Sequence, residues 1–422
     1  MLLQFRFENL RSFAKEQVLS FAATREQPED SRLLHARGVA TPVLPAIAIY
    51  GANASGKTNA IRALSFMKSA VTRSYRLWEP EAGVPLEPFA LASDLQAKSL
   101  FEVQLVAGRV RYRYGFVVSA ERIVEEWLYA WPRGHKQTWY EREDDSFTFG
   151  RHFTGDNDAI CRLTRANSLF LSAAAQNNHP LLADLFRWFA FVQVDLRNSR
   201  ATFSRGASFE IDELFSDSGQ LTFFPGIERG DASDREAVLE LVRAADTGIV
   251  DVRLARPDQP EPRRARSGPR IEFKHRTSDA NGGWLPLDDE SAGTRALVEL
   301  SLQLRRALRR GGLVAIDELE ASLHPMLALA VIRLFHDPDR NLGQGQLLFT
   351  THDTNLLGSL LGEPPLRRDQ VWFAEKDQEG CSHLYPLTDF HPRKEENLER
   401  GYLQGRYGAV PFLGDLMPPR GK

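Results

Sequence analysis

Gly51-Ala52-Asn53-Ala54-Ser55-Gly56-Lys57-Thr58 fits the pattern G-x-x-x-x-G-K-[ST] at every fixed position. Ala46-Ile47-Ala48-Ile49-Tyr50 precedes it, a short apolar run that reads as a buried strand. Thr58 to Lys68 follows, with Ala60, Leu64 and Met67 at helical spacing. Strand, glycine loop and helix in that order make a phosphate cradle. Backbone N–H groups of the loop and of the helix N-terminus face the anion. In such a cradle Lys57 reaches the outer phosphates of a nucleotide and the Thr58 hydroxyl ligates Mg²⁺. The plainer alternative is a chance match on a glycine-rich turn, and the flanks argue against it.

A phosphate loop by itself says that a nucleotide binds. Hydrolysis also needs a metal ligand and a group that orients water. Leu313-Val314-Ala315-Ile316-Asp317-Glu318 offers both. Four apolar residues make a buried strand whose C-terminal end delivers Asp317 to Mg²⁺, and Glu318 polarises the attacking water. An acidic helix cap would look similar, but Glu320-Ala321-Ser322-Leu323-His324-Pro325 behind the tandem acids counts against that. His352 follows a second apolar strand, Leu347-Leu348-Phe349-Thr350, where it can donate a hydrogen bond to a γ-phosphate. Glu290-Ser291-Ala292-Gly293-Thr294-Arg295 opens a helix with an apolar stripe at Leu297, Leu300, Leu304 and Leu308. Ser291 and Gly293 there form a second anion-binding cap, and read equally as a plain N-cap.

Strand and helix alternating around a phosphate loop imply an α/β domain with a largely parallel sheet. Upstream, residues 1 to about 45 read as antiparallel strands. Residues 101–106, 110–118 and 127–131 read as a meander with Gly108 at the first turn. Residues 70–98 read as loop with a short helix, and 158–190 as helical. Further on, 235–245 reads as a helix and 257–270 as a solvated loop rich in Pro and Arg. Residues 271–275 and 284–287 suggest a hairpin around Asn281-Gly282-Gly283. Neither sustained heptads nor an internal repeat is present.

The 422 residues allow two or three domains, and 42% hydrophobic against 26% charged residues supports a sizeable core. A net charge of −3 does not announce a nucleic-acid binder, although local basic patches remain open. Cys161 and Cys381 are the two cysteines, without metal-ligand spacing, which suits a reducing, cytoplasmic compartment. The N-terminus alternates like a strand and lacks the pattern of a signal peptide. No apolar run spans a bilayer, so a soluble chain with no membrane role is expected.

The order phosphate loop, inserted segment, Ser-x-Gly helix start, acidic pair with Ser-Leu-His-Pro, then His after a strand resembles the ABC-type ATPase heads of the SMC, RecF and OLD proteins. More narrowly it is similar to the bacterial ATP-binding proteins of RloA and AbiL type. Phe7-Glu8-Asn9-Leu10-Arg11-Ser12-Phe13 and Tyr402-Leu403-Gln404-Gly405-Arg406-Tyr407-Gly408-Ala409-Val410-Pro411 carry the narrower likeness. The resemblance implies a P-loop NTPase with an antiparallel β lobe, a mainly parallel sheet flanked by helices, and a mostly helical insertion. The head is then built from 1–189 and 285–422, with a helical and hairpin subdomain at 190–284.

The resemblance also implies roles. Gly51, Asn53, Ala54, Ser55, Gly56, Lys57, Thr58 and Asn59 would hold ATP, and Thr58 and Asp317 would hold Mg²⁺. Glu318 would be the catalytic base, with Lys57 and His352 beside it. Ser322 would lie in the D-loop. Ser291 and Gly293 would be the signature that meets the γ-phosphate held by a second copy. Gln176 would match the Q-loop metal ligand, and reads equally as a helix-end amide. The resemblance implies an ATP-dependent homodimer or higher oligomer acting on a separate effector such as a nuclease or toxin in anti-phage defence; the alternatives are a RecF-like DNA-binding repair ATPase and a nucleotide-gated scaffold with little hydrolysis.

Some features depart from the family pattern. The signature is not that of transporter subunits, the coiled-coil arms of SMC proteins are missing, and the residues after His352 are too few for the nuclease domain of OLD proteins. Arg305, Arg306, Arg309 and Arg310, with Arg263, Arg264, Arg266 and Arg270, read as solvated faces or as a surface for DNA or an acidic partner.

Overall fold

The computed structural model describes residues 1–25, 29–91, 97–196, 242–243, 248–255, 270–277, 283–359, 362–393 and 395–411. Two large sheets dominate them. The first is antiparallel and seven-stranded, in the order β2-β1-β4-β5-β6-β7-β8. Its strands are β1 (Leu2–Glu8), β2 (Gln17–Ser20), β4 (Ser99–Ala107), β5 (Val110–Val118), β6 (Ile123–Trp131), β7 (Gln137–Glu143) and β8 (Ser146–Phe149). The meander was legible to β6. At its first turn Gly108 (φ 53°) and Arg109 (φ 67°) both take the left-handed conformation that a tight two-residue hairpin demands.

The second sheet has six strands in the order β16-β15-β3-β14-β13-β9. They are β3 (Ala46–Tyr50), β9 (Gln193–Asp195), β13 (Leu313–Ile316), β14 (Gln346–Thr350), β15 (Val371–Lys376) and β16 (Ser382–Pro386). All neighbours are parallel except the β15–β16 hairpin. Every residue of β3, β13 and β14 is buried, as expected of parallel strands covered on both faces. Alternation sorts β3 between two cores. Ile47 and Ile49 join the core shared with the antiparallel sheet, while Ala46, Ala48 and Tyr50 face the other.

Helix α1 (Lys57–Leu77) fills the space between the two sheets, with α2 (Asn157–Leu163), α3 (Phe170–Gln176) and α4 (Ala183–Phe191) beside it. The other face of the parallel sheet carries α5 (Ala292–Arg310), α6 (Pro325–His336) and α7 (Leu398–Leu403). Helix α1 runs past the Lys68 expected as its end. Ala70, Val71 and Ser74 continue its buried face. The Arg165 guanidinium then donates to the carbonyls of Ser74, Tyr75 and Trp78, filling acceptors that a helix end leaves open.

Within 190–284 the described residues are mostly strands, with helix at the end of α4 and at 242–243. β9 joins the parallel sheet, and β10 (Ile249–Ala255), β11 (Arg270–His275) and β12 (Trp284–Pro286) make a small antiparallel sheet that contains the expected hairpin. The helix expected over 235–245 lies outside the described residues apart from 242–243. The loop 257–270 also lies outside them, apart from the start of β11. No helix among the described residues is long and apolar enough to cross a membrane.

Candidate functional site

The site forms where β3, β13 and β14 end side by side. β3 runs into the loop Gly51–Gly56, and α1 starts at Lys57. The two loop glycines are required. Gly51 has φ 156° and a Cβ there would lie 2.4 Å from the Ala374 carbonyl oxygen. Gly56 has φ 110° and a Cβ would lie 2.4 Å from the Ser382 Oγ. The Ser55 Oγ is buried with no hydrogen-bond partner. A polar atom left dry inside a loop of N–H donors is what a bound anion would satisfy.

Lys57 is buried, and its Nζ donates to the carbonyls of Gly51 (2.8 Å) and Ala52 (2.9 Å). Burial lowers its pKa to about 8, against the pull of Asp317, Glu318 and Glu320. Beside it, the Thr58 hydroxyl donates to Asp317 Oδ1 (3.1 Å). The same oxygen accepts from the Thr350 hydroxyl (2.8 Å), and Thr350 Oγ1 in turn accepts from the Glu318 N–H (2.7 Å). Asp317 is 2% exposed, and its own N–H donates to the Asp195 carbonyl at the end of β9 (3.0 Å). A hydroxyl and a buried carboxylate in contact beside a phosphate loop suit Mg²⁺. That ion takes one or two protein oxygens and fills the rest of its octahedron with phosphate and water. When bound it would neutralise phosphate charge; Thr58 and Asp317 are the residues that fit it.

Glu318 occupies the left-handed region (φ 53°), a strain of about 1–3 kcal/mol for a residue with a side chain. That turn lets two consecutive acids leave β13 together. The Glu318 carboxylate has no partner among the described residues. Glu320 Oε1 accepts from the His352 N–H (2.6 Å), while its Oε2 is buried and unpartnered. His352 itself is exposed, and desolvation together with the Lys57 charge lowers its pKa below the ordinary value. Lys57, Thr58, Asp317, Glu318 and His352 therefore gather at one end of the parallel sheet.

The remaining candidates sit differently. Asn59 Nδ2 donates to Ser12 Oγ (2.9 Å), behind the loop. Ser12 also accepts from the Ser382 hydroxyl (2.8 Å), and the Ser382 N–H donates to the Ser12 carbonyl (2.7 Å). Asn59 thus ties α1 to the turn after β1 and, through Ser12, to β16. Asn53 and Ala54 form the exposed tip of the loop. Ser322 closes the short 3₁₀ turn Leu319–Ser322 after Glu318.

Ser291 caps α5, accepting from the Thr294 N–H (3.1 Å). Both it and Gly293 are exposed, and a Cβ at Gly293 would meet nothing nearer than Ser291 Oγ at 3.8 Å. None of the described bonds joins this helix start to the loop of its own chain. Gln176 ends α3 exposed, and none of the described bonds joins it to Thr58 or Asp317.

Sequence reasoning missed Ser12, Thr350, Glu320 and Ser382. Ser12 lay within the quoted Phe7–Phe13 motif and Thr350 at the end of a strand already identified. Their roles depend on contacts far along the chain, which no local spacing encodes.

The Lys57 position predicts a pH effect. Below about pH 8 Lys57 is charged with or without an anion, so affinity is flat. Above it the free chain has lost the proton that a phosphate needs. The Kd for ATP should then rise towards tenfold per pH unit between about 8 and 9.5. Titrating a fluorescent ATP analogue across that range checks it, with Lys57→Arg as the control that removes the dependence; a flat profile for the parent contradicts it.

The fold is similar to solved SMC head domains. One is an SMC head bound to the C-winged helix domain of ScpA, at 15% identity and TM-score 0.45, covering 91% of this chain and 96% of that one. A second, from Thermotoga maritima, has 14% identity and TM-score 0.40, covering 91% and 98%. A third carries an extended coiled coil bound to the C-terminal domain of ScpA derived from Pyrococcus furiosus. Its values are 12% identity and TM-score 0.41, with 92% and 97% covered. No curated protein matches the chain. Residues 46–358, from the strand before the phosphate loop to just past His352, match the family described as "AAA domain, putative AbiEii toxin, Type IV TA system". The chain belongs to that family, and its fold is that of an ATP-binding P-loop ATPase.

Proposed function

We propose that the chain hydrolyses ATP and that two copies close around the nucleotide. Asn53, Ala54, Ser55 and their loop neighbours hold the phosphates, and Lys57 leaves its two carbonyls to meet them. Thr58 and Asp317 hold Mg²⁺, with Gln176 joining when the heads close. Glu318 takes the proton of the attacking water, and His352 donates to the γ-phosphate. Ser322 lies at the seam between copies. The observation that carries this reading is the Thr58–Asp317–Thr350 cluster beside Lys57, with an unpartnered Glu318 carboxylate on the next residue.

The second copy enters through Ser291 and Gly293. Their helix start is exposed and open, and α5 has 19 residues whose aligned peptide dipoles favour an anion at that end. A phosphate tail held by one copy is attractive to the α5 start of another only while the γ-phosphate remains, so hydrolysis releases the pair. The family's description names a type IV toxin–antitoxin system; in this reading the ATPase controls a separate effector, a nuclease or toxin, in anti-phage defence. On the same reading the inserted subdomain lies within 190–284 but after β9, which belongs to the head's parallel sheet, and the head is built from the residues on either side.

Light scattering tests the pairing. With ATP and Mg²⁺ the Glu318→Gln chain should double in mass, and with ADP it should not. Adding Ser291→Arg places a bulky cation on the cap and should abolish the doubling. A double variant that still dimerises with ATP would refute the assigned role of Ser291.

A further inference from the structure

At the opposite end of the parallel strands from Lys57 lies a cavity of about 490 Å³. It is framed by the β4–β5 turn, α4, the α5–β13 connection and the residues before β14. Arg37, Arg109, Arg187 and Arg310 line it, against one carboxylate among the described residues, Asp184. Asp184 is already engaged by Arg187 at 2.7 Å. Arg37 and Arg109 are exposed and have no side-chain partner among the described residues. The wall also contains Trp188, 6% exposed, whose indole Nε1 is buried with no hydrogen-bond partner.

Exposed arginines alone would be a solvated surface. Here they rim a concave space of the volume that small-molecule sites have, about 300–1,000 Å³. A buried N–H without an acceptor is unfavourable, and a ligand atom would satisfy it. Guanidinium groups match phosphate oxygens in a two-pronged geometry, and an indole wall suits an aromatic base.

We propose that this cavity is a second anion site, distinct from the phosphate loop, that takes a phosphorylated ligand of mononucleotide size. Arg37 and Arg109 grip the phosphate, and the Trp188 N–H donates to the ligand. The ligand is a free nucleoside monophosphate or the 5′-phosphorylated end of a nucleic-acid strand, which present the same chemistry. The site's two neighbours in the chain reach the other end of the sheet. α5 leads back to Ser291, and β13 leads forward to Asp317.

The test uses the full chain carrying Lys57→Ala, which weakens the phosphate loop, at low salt. AMP, adenosine, and oligothymidylate with a 5′-phosphate or a 5′-hydroxyl are titrated by calorimetry. AMP or the 5′-phosphorylated strand should bind, and Arg37→Glu with Arg109→Glu should weaken that binding at least tenfold without lowering the melting temperature. Trp188→Phe should weaken it by about threefold or more. Tighter AMP identifies a free nucleotide; a 5′-phosphorylated strand that outbinds both AMP and its 5′-hydroxyl form identifies a strand end. The proposal is overturned if neither phosphorylated probe binds, if adenosine binds as well as AMP, or if the arginine pair can be reversed without effect. None of these outcomes touches the reading of the phosphate loop, whose failure would appear in ATP turnover instead.

Discussion

Glu318→Gln should reduce steady-state ATP hydrolysis by about 10²–10⁴-fold, the range that a positioned general base supplies. The amide has nearly the carboxylate's shape but cannot take a proton from water. Thr350 receives the residue's backbone N–H, not its side chain, so the turn after β13 should survive. Binding of ATP should therefore stay close to the parent's while turnover collapses. Glu318→Gly separates the carboxylate from the turn. It relieves the left-handed strain at φ 53° yet removes the base, so its turnover should fall as far. A Glu318→Gln chain that hydrolyses ATP at the parent rate would move the base elsewhere. Glu320 is then the next group to test, because its Oε2 is buried, unpartnered and two residues away.

Legibility in the sequence followed the physics of each element. β3, β13 and β14 announced themselves because a strand covered on both faces must be apolar throughout, and the loop glycines because only they fit its geometry. Asp317 and Glu318 could be placed because they follow such a strand directly. β7 carries Glu141 and Glu143 on its outer face, and β9 is three half-buried residues at a sheet edge, so neither has a strong apolar signal. The length of α1 depends on Arg165, almost ninety residues further on, which no local periodicity reports. The hydroxyls around the phosphate loop behave in the same way. Ser12 and Ser382 are ordinary polar residues until the turn after β1 meets β16, and Thr350 until β14 sets it beside Asp317. The parity of β6 did hold one unread signal. Glu126 shares its face with Leu128 and Ala130, so the alternation points it inward.

That inward glutamate gives the largest stability effect expected in this chain. Glu126 is fully buried under α3. Its Oε1 accepts from the Tyr114 hydroxyl (3.0 Å), the Tyr140 hydroxyl (2.8 Å) and the Leu171 N–H (3.1 Å), and its Oε2 from the Phe170 N–H (2.7 Å). Arg142 Nη1 stands 3.9 Å away. Burial raises the carboxyl's pKa, while Arg142 and the two backbone donors pull it down. Burial and the Glu126 carboxylate hold both phenols well above their ordinary range, so they remain O–H donors. One side chain thus satisfies strands β5 and β7 and the first N–H groups of α3, which have no acceptor within their own helix.

Glu126→Leu should cost about 3–5 kcal/mol, because it strands a buried cation and several buried donors at once. Tyr114→Phe and Tyr140→Phe, each removing a single donor, should cost about 1 kcal/mol. Replacing Arg142 as well should not rescue Glu126→Leu, as it would for an isolated pair. Arg142 also donates to the Asp144 carbonyl (2.7 Å) and the Ser168 carbonyl (2.7 Å), and those acceptors would then be lost to it. Urea unfolding followed by circular dichroism measures all four variants. A Glu126→Leu chain within about 1 kcal/mol of the parent would mean that α3 is held by its apolar packing alone, and that the buried carboxylate is dispensable.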